Sequence, residues 1–411
     1  MGAKNMVAGI IAEYNPFHNG HLHQINKLRE KLGESCTIIA CISGGLTQRG
    51  ELPVLSKWQR GALAVENGVN LVLELPAVFT SRSAQHFAFG GVSLFHKLGV
   101  VNHLIFSCAH PDLPLLNKIA GFDLANYKNE LQTKLKEGFS YASAAAELMA
   151  QNIGTEAAIL HDPNTILAIE YLKAIKQLNS TIQPLAMQRT GSHHNDHKAN
   201  GQFASGRAIR NMLQKNCLDE LKLVLPSTTC AMLTKEPSIT FDMHQLYPAL
   251  QLMLMTSSPE QLRKIDSMSE GLEYKLIEAA NASSMTEFIN TLVSKRYQRT
   301  RISRLILHLL LNLTNDITTE ADQIGSPYAR VLAFDNKGRE LIKKLKKVST
   351  IPLITKVSEH INRRDLINKH LAGPLEHILY YDIIAQNIYE LCQKSPVPNH
   401  DFLASPIYIQ R

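Results

Sequence analysis

The chain has 411 residues, 45% of them hydrophobic and 19% charged, ordinary globular proportions that exclude wholesale disorder, a collagen-like or coiled-coil rod and a small stapled scaffold. Forty-three Lys and Arg against 36 Asp and Glu give a formal charge of +7, a balance that favours polyanionic partners without naming one. The six cysteines, Cys36, Cys41, Cys108, Cys217, Cys230 and Cys392, include no C-x-x-C pair and read as reduced, mostly buried thiols.

Val7 to Ala12 is a short apolar run with a buried-strand pattern, too short and too soon followed by Glu13 for a signal peptide or a membrane span; we expect a cytoplasmic chain with no membrane partner. Gly20 to Leu32 has a helix pattern, Cys36 to Ile42 is a second strand, Lys57 to Asn67 a helix, and Leu71 to Leu75 a third strand ended by Pro76. Ala84 to Leu98 reads as a helix and Val101 to Phe106 as a fourth strand. Strands separated by helices of this length imply parallel pairing through right-handed crossovers, hence an open α/β sheet that binds ligands at the carboxyl ends of its strands. From about Leu213 helical patterns dominate: Ser258 to Ala279, Ser284 to Asn290, Arg301 to Leu313 and Gly373 to Cys392. Within that region Tyr328 to Lys347 reads as a strand, a turn at Asp335 to Gly338 and a basic helix. The expected organisation is an α/β domain over residues 1–212 and a mainly helical region over 213–411.

The segment with the most chemistry is Glu13-Tyr14-Asn15-Pro16-Phe17-His18-Asn19-Gly20-His21, between the first strand and the first helix. A helix N-terminus offers free backbone N–H groups and partial positive charge to a phosphate, and Gly20 removes a side chain where backbone must approach a ligand. His18 and His21, three apart, project from one side of the first turn and can stabilise charge building up at phosphorus. No third ligand stands at zinc spacing, so a metal site is not expected; neither a P-loop nor a Rossmann fingerprint is present.

In this setting the sequence resembles the tRNA(Met) cytidine acetate ligases of the H-x-G-H nucleotidyltransferase superfamily. The resemblance opens on EYNPFHNGHL at Glu13 to Leu22 and continues in order through Gln48-Arg49-Gly50-Glu51, Ser56-Lys57-Trp58 and LVLELP at Leu71 to Pro76. It runs on through LKEGFSYASA at Leu135 to Ala144, Pro163 to Leu167, Arg189 with His194-Asn195-Asp196, Ala204-Ser205 to Arg210, Lys295 to Asn312, and RVLAFDNKGREL at Arg330 to Leu341. It implies a nucleotidyltransferase-like first domain, ATP as substrate carried with Mg²⁺, and acetate as the acid that is activated to acetyl-adenylate. The acetyl group would then pass to N4 of the wobble cytidine of elongator tRNA(Met).

Carried over by position, His18 and His21 are the catalytic residues. The ATP contacts fall on Ile11, Ala12, Glu13, Tyr14, Asn15, Pro16, Phe17, His18, Asn19, Gly20, His21, Leu22, His23 and Gln24, and on Ser107, Asn164, Arg189 and Arg210. Two stretches depart from the family pattern. Phe106-Ser107-Cys108-Ala109 stands where Gly-Ser-Glu is usual, and Ser43-Gly44-Gly45-Leu46-Thr47 where a polar residue and Phe are usual; both bear on the shape of the adenosine or acetate pocket. Gly206-Arg207 likewise replaces small hydroxyl residues beside Arg210.

Lys295 to Arg304 holds five basic residues, one aromatic and no acid, and Lys295, Arg296, Arg299 and Arg301 are the expected tRNA contacts; Tyr297 either stacks on a base or anchors a core. Lys343, Lys344, Lys346 and Lys347 read as a solvated run at a helix C-terminus. Two other readings stay open on the sequence: a small-molecule nucleotidyltransferase using the same loop, and a catalytically silent RNA-binding relative.

Overall fold

The computed structural model describes residues 6–139, 141–154, 159–160, 162–189, 201–235 and 242–411. Its first half builds β1 (Val7–Ala12), α1 (Asn19–Leu32), β2 (Thr37–Ser43), α2 (Lys57–Glu66), β3 (Leu71–Leu75), α3 (Ala84–Leu98), β4 (His103–Cys108), α4 (Pro163–Gln177) and β5 (Gln183–Gln188). The five strands are parallel, as the alternation of strand and helix predicts, and lie in the order β5-β4-β1-β2-β3; β5 is a fifth strand beyond the four expected. Successive strand residues serve opposite faces. Ile11, Ile39, Cys41, Leu71, Leu73, Leu104 and Phe106 pack with α3 and α4 residues such as Phe87, Phe95, Ala168 and Leu172. Ile10, Ile38, Ala40, Ile42, Val72 and Ile105 pack with Ile25 and Leu28 of α1 and Leu63 of α2. Burial on both faces is why these strands read as continuous apolar runs.

The sheet does not end with the first half of the chain. β6 (Ala329–Phe334) pairs antiparallel with β3, and β7 (Leu353–Ile354) and β8 (Ile407–Tyr408) each pair with β6. Main-chain pairing therefore crosses the 212/213 division. The strand and basic helix expected over Tyr328 to Lys347 are present, but Asp335 is the N-cap of α7 (Asn336–Val348), its Oδ1 accepting the Gly338 N–H at 2.8 Å, rather than the start of a turn. Lys343, Lys344, Lys346 and Lys347 are exposed on that helix.

A separate apolar cluster runs from Tyr247 to Leu309, around Leu250, Leu272, Leu276, Phe288, Ile302 and Leu305, and α6 (Arg299–Leu311) is its longest helix. The single helix expected over Ser258 to Ala279 is two, Pro259–Arg263 and Leu272–Ala279. Ser267 and Gly271, at φ of 66° and 80°, stand in the left-handed region between them. The buried His308 of α6 joins the two halves: its ring nitrogens lie 2.8 Å from the Ser81 carbonyl and 3.1 Å from the Asp266 carbonyl. Among the described residues no helix is long and apolar enough to cross a membrane.

A fully buried ion cluster fastens the C-terminal part to the sheet. Lys57 Nζ of α2 lies 2.8 Å from Glu74 Oε1 of β3 and 2.8 Å from Asp401 Oδ1, and Arg330 of β6 reaches Glu74 Oε2 at 3.2 Å and Asp401 Oδ1 at 2.6 Å. Burial works against the Arg330 charge, but Asp401 and Glu74 outweigh it and hold its pKa up. Burial and the Glu74 charge push the nearby Asp382 carboxyl up to about 8, which leaves the cluster balanced at two cations and two anions at neutral pH. Among the described cysteines, Cys36, Cys41, Cys108 and Cys392 are buried thiols and Cys217 and Cys230 half-buried ones.

Candidate functional site

β1 lies at the centre of the parallel sheet, with β2 and β3 to one side and β4 and β5 to the other, so the strand order reverses between β1 and β4. In open α/β sheets this switch point at the carboxyl edge is where a crevice forms. A cleft of about 860 Å³ opens there. Its wall includes Ile11 and Ala12 from the end of β1, Glu13, Tyr14, Asn15, His18, Gly20, His21, His23 and Gln24 from the loop and α1, Ser107 from β4, Asn164 from α4, Arg189 after β5, and Arg210 from α5 (Gly206–Gln214). Fourteen expected contact residues thus meet around one volume. Pro16, Phe17, Asn19 and Leu22 are not in the wall: Phe17 is fully buried, and the Asn19 side chain donates to the Gln202 and Leu223 carbonyls at 3.1 and 3.0 Å. His194, Asn195 and Asp196 lie outside the described residues, as does Ser140.

The histidines are held as a pair by the first turn of α1. His18 is the N-cap, and its Nδ1 accepts the Gly20 N–H at 3.1 Å, while His21 Nδ1 accepts the His18 N–H at 3.2 Å. This reciprocal arrangement is a capping box built from two imidazoles. The rings stack with centroids 3.7 Å apart, and Tyr14 meets His21 edge-on at 4.8 Å. Burial, then the nearby Arg189 and Arg210 charges, lower the His18 pKa to about 3; burial, then His18 and Arg189, hold His21 well below its ordinary value. Both rings are therefore neutral near pH 7. With Nδ1 engaged as acceptor on each, the single proton sits on Nε2, which makes both rings hydrogen-bond donors.

The loop's backbone is fixed from behind by Arg60, a fully buried α2 residue that sequence reasoning missed. Its Nη1 donates to the Glu13 carbonyl at 2.7 Å and to Ser43 Oγ at 3.1 Å, its Nε to the Leu55 carbonyl at 3.0 Å, and its Nη2 to the Gly44 carbonyl. One guanidinium thereby ties together the chain leaving β1, the chain leaving β2 and the approach to α2. Nothing in the helix pattern marks it beyond a charge on a face otherwise apolar.

Ser107 is in the wall and accepts from Gln24 Nε2 at 2.9 Å, so α1 and β4 are joined across the cleft floor. Asn164 follows Pro163 in the first turn of α4, but the cap there is Asp162, whose Oδ2 accepts the Thr165 N–H at 2.8 Å. Among the described residues Asn164 Nδ2, a buried donor, has no partner, nor has Tyr14 Oη; a buried polar atom so placed in a cleft wall points to a ligand. Arg210 donates to the Asn15 carbonyl at 3.1 Å and pairs with Glu51 at 2.9 Å. The Gly45-Leu46 departure has a different consequence from the one expected. Neither residue lines the cleft; Leu46 is core, and a Cβ on Gly45 would stand 2.6 Å from the Ala385 carbonyl of α8 (Pro374–Leu391), so the side chain missing at Gly45 makes room for a helix.

The far wall comes from the second half of the chain: Gln298, Thr300 and Arg304 at the start of α6. Gly50, at φ 77°, lets the 48–51 loop lie against that start, since a Cβ there would stand 2.6 Å from the Arg304 backbone nitrogen. Arg49 also lines the cleft, and burial, then Arg301 and Arg49, lower the Arg304 pKa to about 10. A smaller hollow of about 290 Å³ adjoins it, lined by Arg82, Ser83, His86, Ser267, Arg301 and Arg304. Lys295, Arg296 and Arg299 are exposed and Arg301 half-buried. Tyr297 is not a stacking platform: it is 4% exposed, its hydroxyl lies 3.0 Å from Ser269 Oγ, and Arg296 and Arg301 flank its ring. Among the described residues no three His, Cys, Asp or Glu side chains gather to hold a metal ion.

Residues 5–402 match the family described as HIGH Nucleotidyl Transferase. The tRNA(Met) cytidine acetate ligase of Clostridium kluyveri is 38% identical over 98% of this chain and 99% of its own, and that of Halothermothrix orenii 33% over 95% and 96%. Two crystal structures of Thermotoga maritima TmcAL, each 28% identical and covering 99% of this chain and all of their own, superpose closely. The apo form does so with a TM-score of 0.89, and the form bound with alpha-thio ATP with 0.87.

Proposed function

Since this chain belongs to the HIGH nucleotidyl transferase family and, within it, to the tRNA(Met) cytidine acetate ligases, we propose that it joins acetate to ATP as acetyl-adenylate and acetylates N4 of the wobble cytidine of elongator tRNA(Met). The observation that carries this reading is a single cleft with the imidazole pair and a helix N-terminus on one wall and the basic start of α6 on the other. A small-molecule nucleotidyltransferase needs the first wall and not the second.

In the first step the acetate carboxylate attacks the α-phosphorus and pyrophosphate leaves. The Nε2–H groups of His18 and His21, the positive end of the α1 dipole, Arg189 and Arg210 stabilise the charge that builds up on the phosphoryl oxygens. The buried donors Asn164 Nδ2 and Tyr14 Oη take acceptors on the nucleotide. Mg²⁺ carried with the substrate would neutralise part of the triphosphate charge.

Ser107 meets the nucleotide from the end of β4. Ser107→Gly should leave ATP affinity equal or better, since it restores the family's usual small residue and frees Gln24, whereas Ser107→Leu should weaken it by filling the cleft floor. Titration calorimetry in which both variants bind like the parent would place Ser107 outside the nucleotide's reach.

Phosphate contacts give an affinity that falls with salt. Replacing Arg299 and Arg301 together by alanine should weaken tRNA binding and make its salt slope shallower by roughly one unit per lost contact, while acetate-dependent exchange of pyrophosphate into ATP persists. The reading of α6 as the RNA wall fails if tRNA affinity and its salt dependence both match the unmodified chain.

A further inference from the structure

Transfer of an acetyl group to an amine releases a proton, and the cleft must offer something to take it. His18 and His21 cannot, and His23, the third imidazole of the wall, is the rival that the test below separates. Each Nδ1 lone pair is committed to a backbone N–H, at 3.1 Å for His18 and 3.2 Å for His21, and each Nε2 already carries the one proton of a neutral ring. The arginines and Lys27 of the wall are cations. Among the described residues lining the cleft, one carboxylate remains, Glu13, at the point where the chain leaves β1.

Among the described residues Glu13 makes no ion pair and is held in place by other means. Arg60 fixes its carbonyl at 2.7 Å from the rear, and its Oε1 accepts the Gln48 N–H at 2.6 Å, which orients the carboxylate without protonating it. Arg49 and Arg210 face it with positive charge from the 48–51 loop and α5, Glu51 with negative charge, and Arg60 and Tyr171 lie toward it from α2 and α4. Burial is the largest influence and sets its affinity for a proton above that of an ordinary glutamate despite the arginines. A carboxylate of that kind is a better proton acceptor than a solvated one and matches the demand on a general base.

We infer that Glu13 is the general base of the acetyl-transfer step, an inference that rests on the two-step reading above. As the N4 nitrogen of cytidine bonds to the acyl carbon of acetyl-adenylate, an N4 proton passes to the Glu13 carboxylate. The acyl C–O bond to phosphate then breaks and AMP leaves with its electron pair. The carboxylic acid afterwards returns its proton to water in the open cleft, and one proton is released per acetyl group transferred.

The test uses the full chain with Glu13→Gln, which keeps an Oε1 acceptor for Gln48 while removing the base. Acetate-dependent ATP–pyrophosphate exchange and capture of acetyl-adenylate by hydroxylamine report the first step; single-turnover acetylation of tRNA(Met) reports the second. The variant should lose at least about a hundredfold more in transfer than in exchange, the scale of a general base. The parent's transfer rate should rise with pH and then level, and the variant should lose that rise. Glu13→Asp, which sets the same base back by one methylene, should recover part of the transfer rate and the pH-dependent limb. Equal losses in exchange and transfer would overturn the inference and make Glu13 part of the nucleotide site. So would a limb that persists in Glu13→Gln and vanishes in His23→Gln. Failure of the parent to exchange pyrophosphate with acetate would instead sink the underlying two-step reading, and this inference with it.

Discussion

Replacing His21 by alanine should lower acetate-dependent ATP–pyrophosphate exchange at least about a hundredfold, the scale of losing one preorganised donor to a developing oxyanion. The loss has two parts. The variant gives up the Nε2–H donor itself, and it removes both the Nδ1 acceptor of the His18 N–H and the ring on which His18 stacks, leaving His18 held by its Gly20 bond alone. The entry to the loop should survive, because Arg60 holds the Glu13 carbonyl from behind and ties it to Ser43, Gly44 and Leu55 through contacts that do not involve either ring. A circular-dichroism spectrum and melting curve close to the parent's would establish that. The pH dependence has a definite sign. Burial and neighbouring cations disfavour the charged imidazoles, so exchange should show no imidazole titration near the ordinary histidine value and should decline only in acid well below it. Undiminished exchange in a folded His21→Ala chain would take this residue out of the mechanism.

Asp401→Ala should destabilise the fold by about 3–5 kcal/mol, the cost of breaking a buried ion cluster by removing one partner. Asp401 accepts from both Lys57 and Arg330, and its loss leaves two buried cations facing Glu74 alone. Asp382→Asn is the informative contrast. Burial already keeps that carboxyl in its neutral form up to about pH 8, and an asparagine retains an acceptor for the Ala77 N–H and a polar partner for the Tyr328 hydroxyl. It should therefore shift the denaturant midpoint little. Midpoints measured at constant slope check both; equal shifts in the two variants would mean that the charge balance ascribed to this cluster is wrong.

The parts of this molecule that the sequence makes legible are those governed by short-range pattern. Continuous apolar runs mark β1 to β4 because parallel strands are buried on both faces, and the loop-then-helix setting of His18 and His21 is visible because three-residue spacing places both on one turn. What long-range packing decides is less visible. β6 and β8 sit in the first-half sheet although more than 250 residues separate β3 from β6, and β5, with only two buried residues, lacks the apolar run that would announce it. The family motifs Ser56-Lys57-Trp58, LVLELP and RVLAFDNKGREL look like unrelated signals in the chain. Folding brings Lys57, Glu74 and Arg330 into one ion cluster. Tyr297 illustrates the limit from the other side: a tyrosine among arginines has the composition of an RNA-stacking face, yet its ring is core and only the cations around it reach solvent. Arg60 and Glu13 were both in plain sight, but a buried charge gives its purpose only through the atoms that surround it.

One cleft is proposed to perform both acetate activation and RNA modification. The most direct measurement is isotope exchange between pyrophosphate and ATP, run with and without acetate on the purified chain, followed by mass analysis of nucleosides from elongator tRNA(Met) incubated in the same mixture. Exchange that requires acetate, together with N4-acetylcytidine at the wobble position, is the predicted result. Exchange indifferent to acetate, or a tRNA whose cytidine stays unmodified while exchange proceeds, would contradict it.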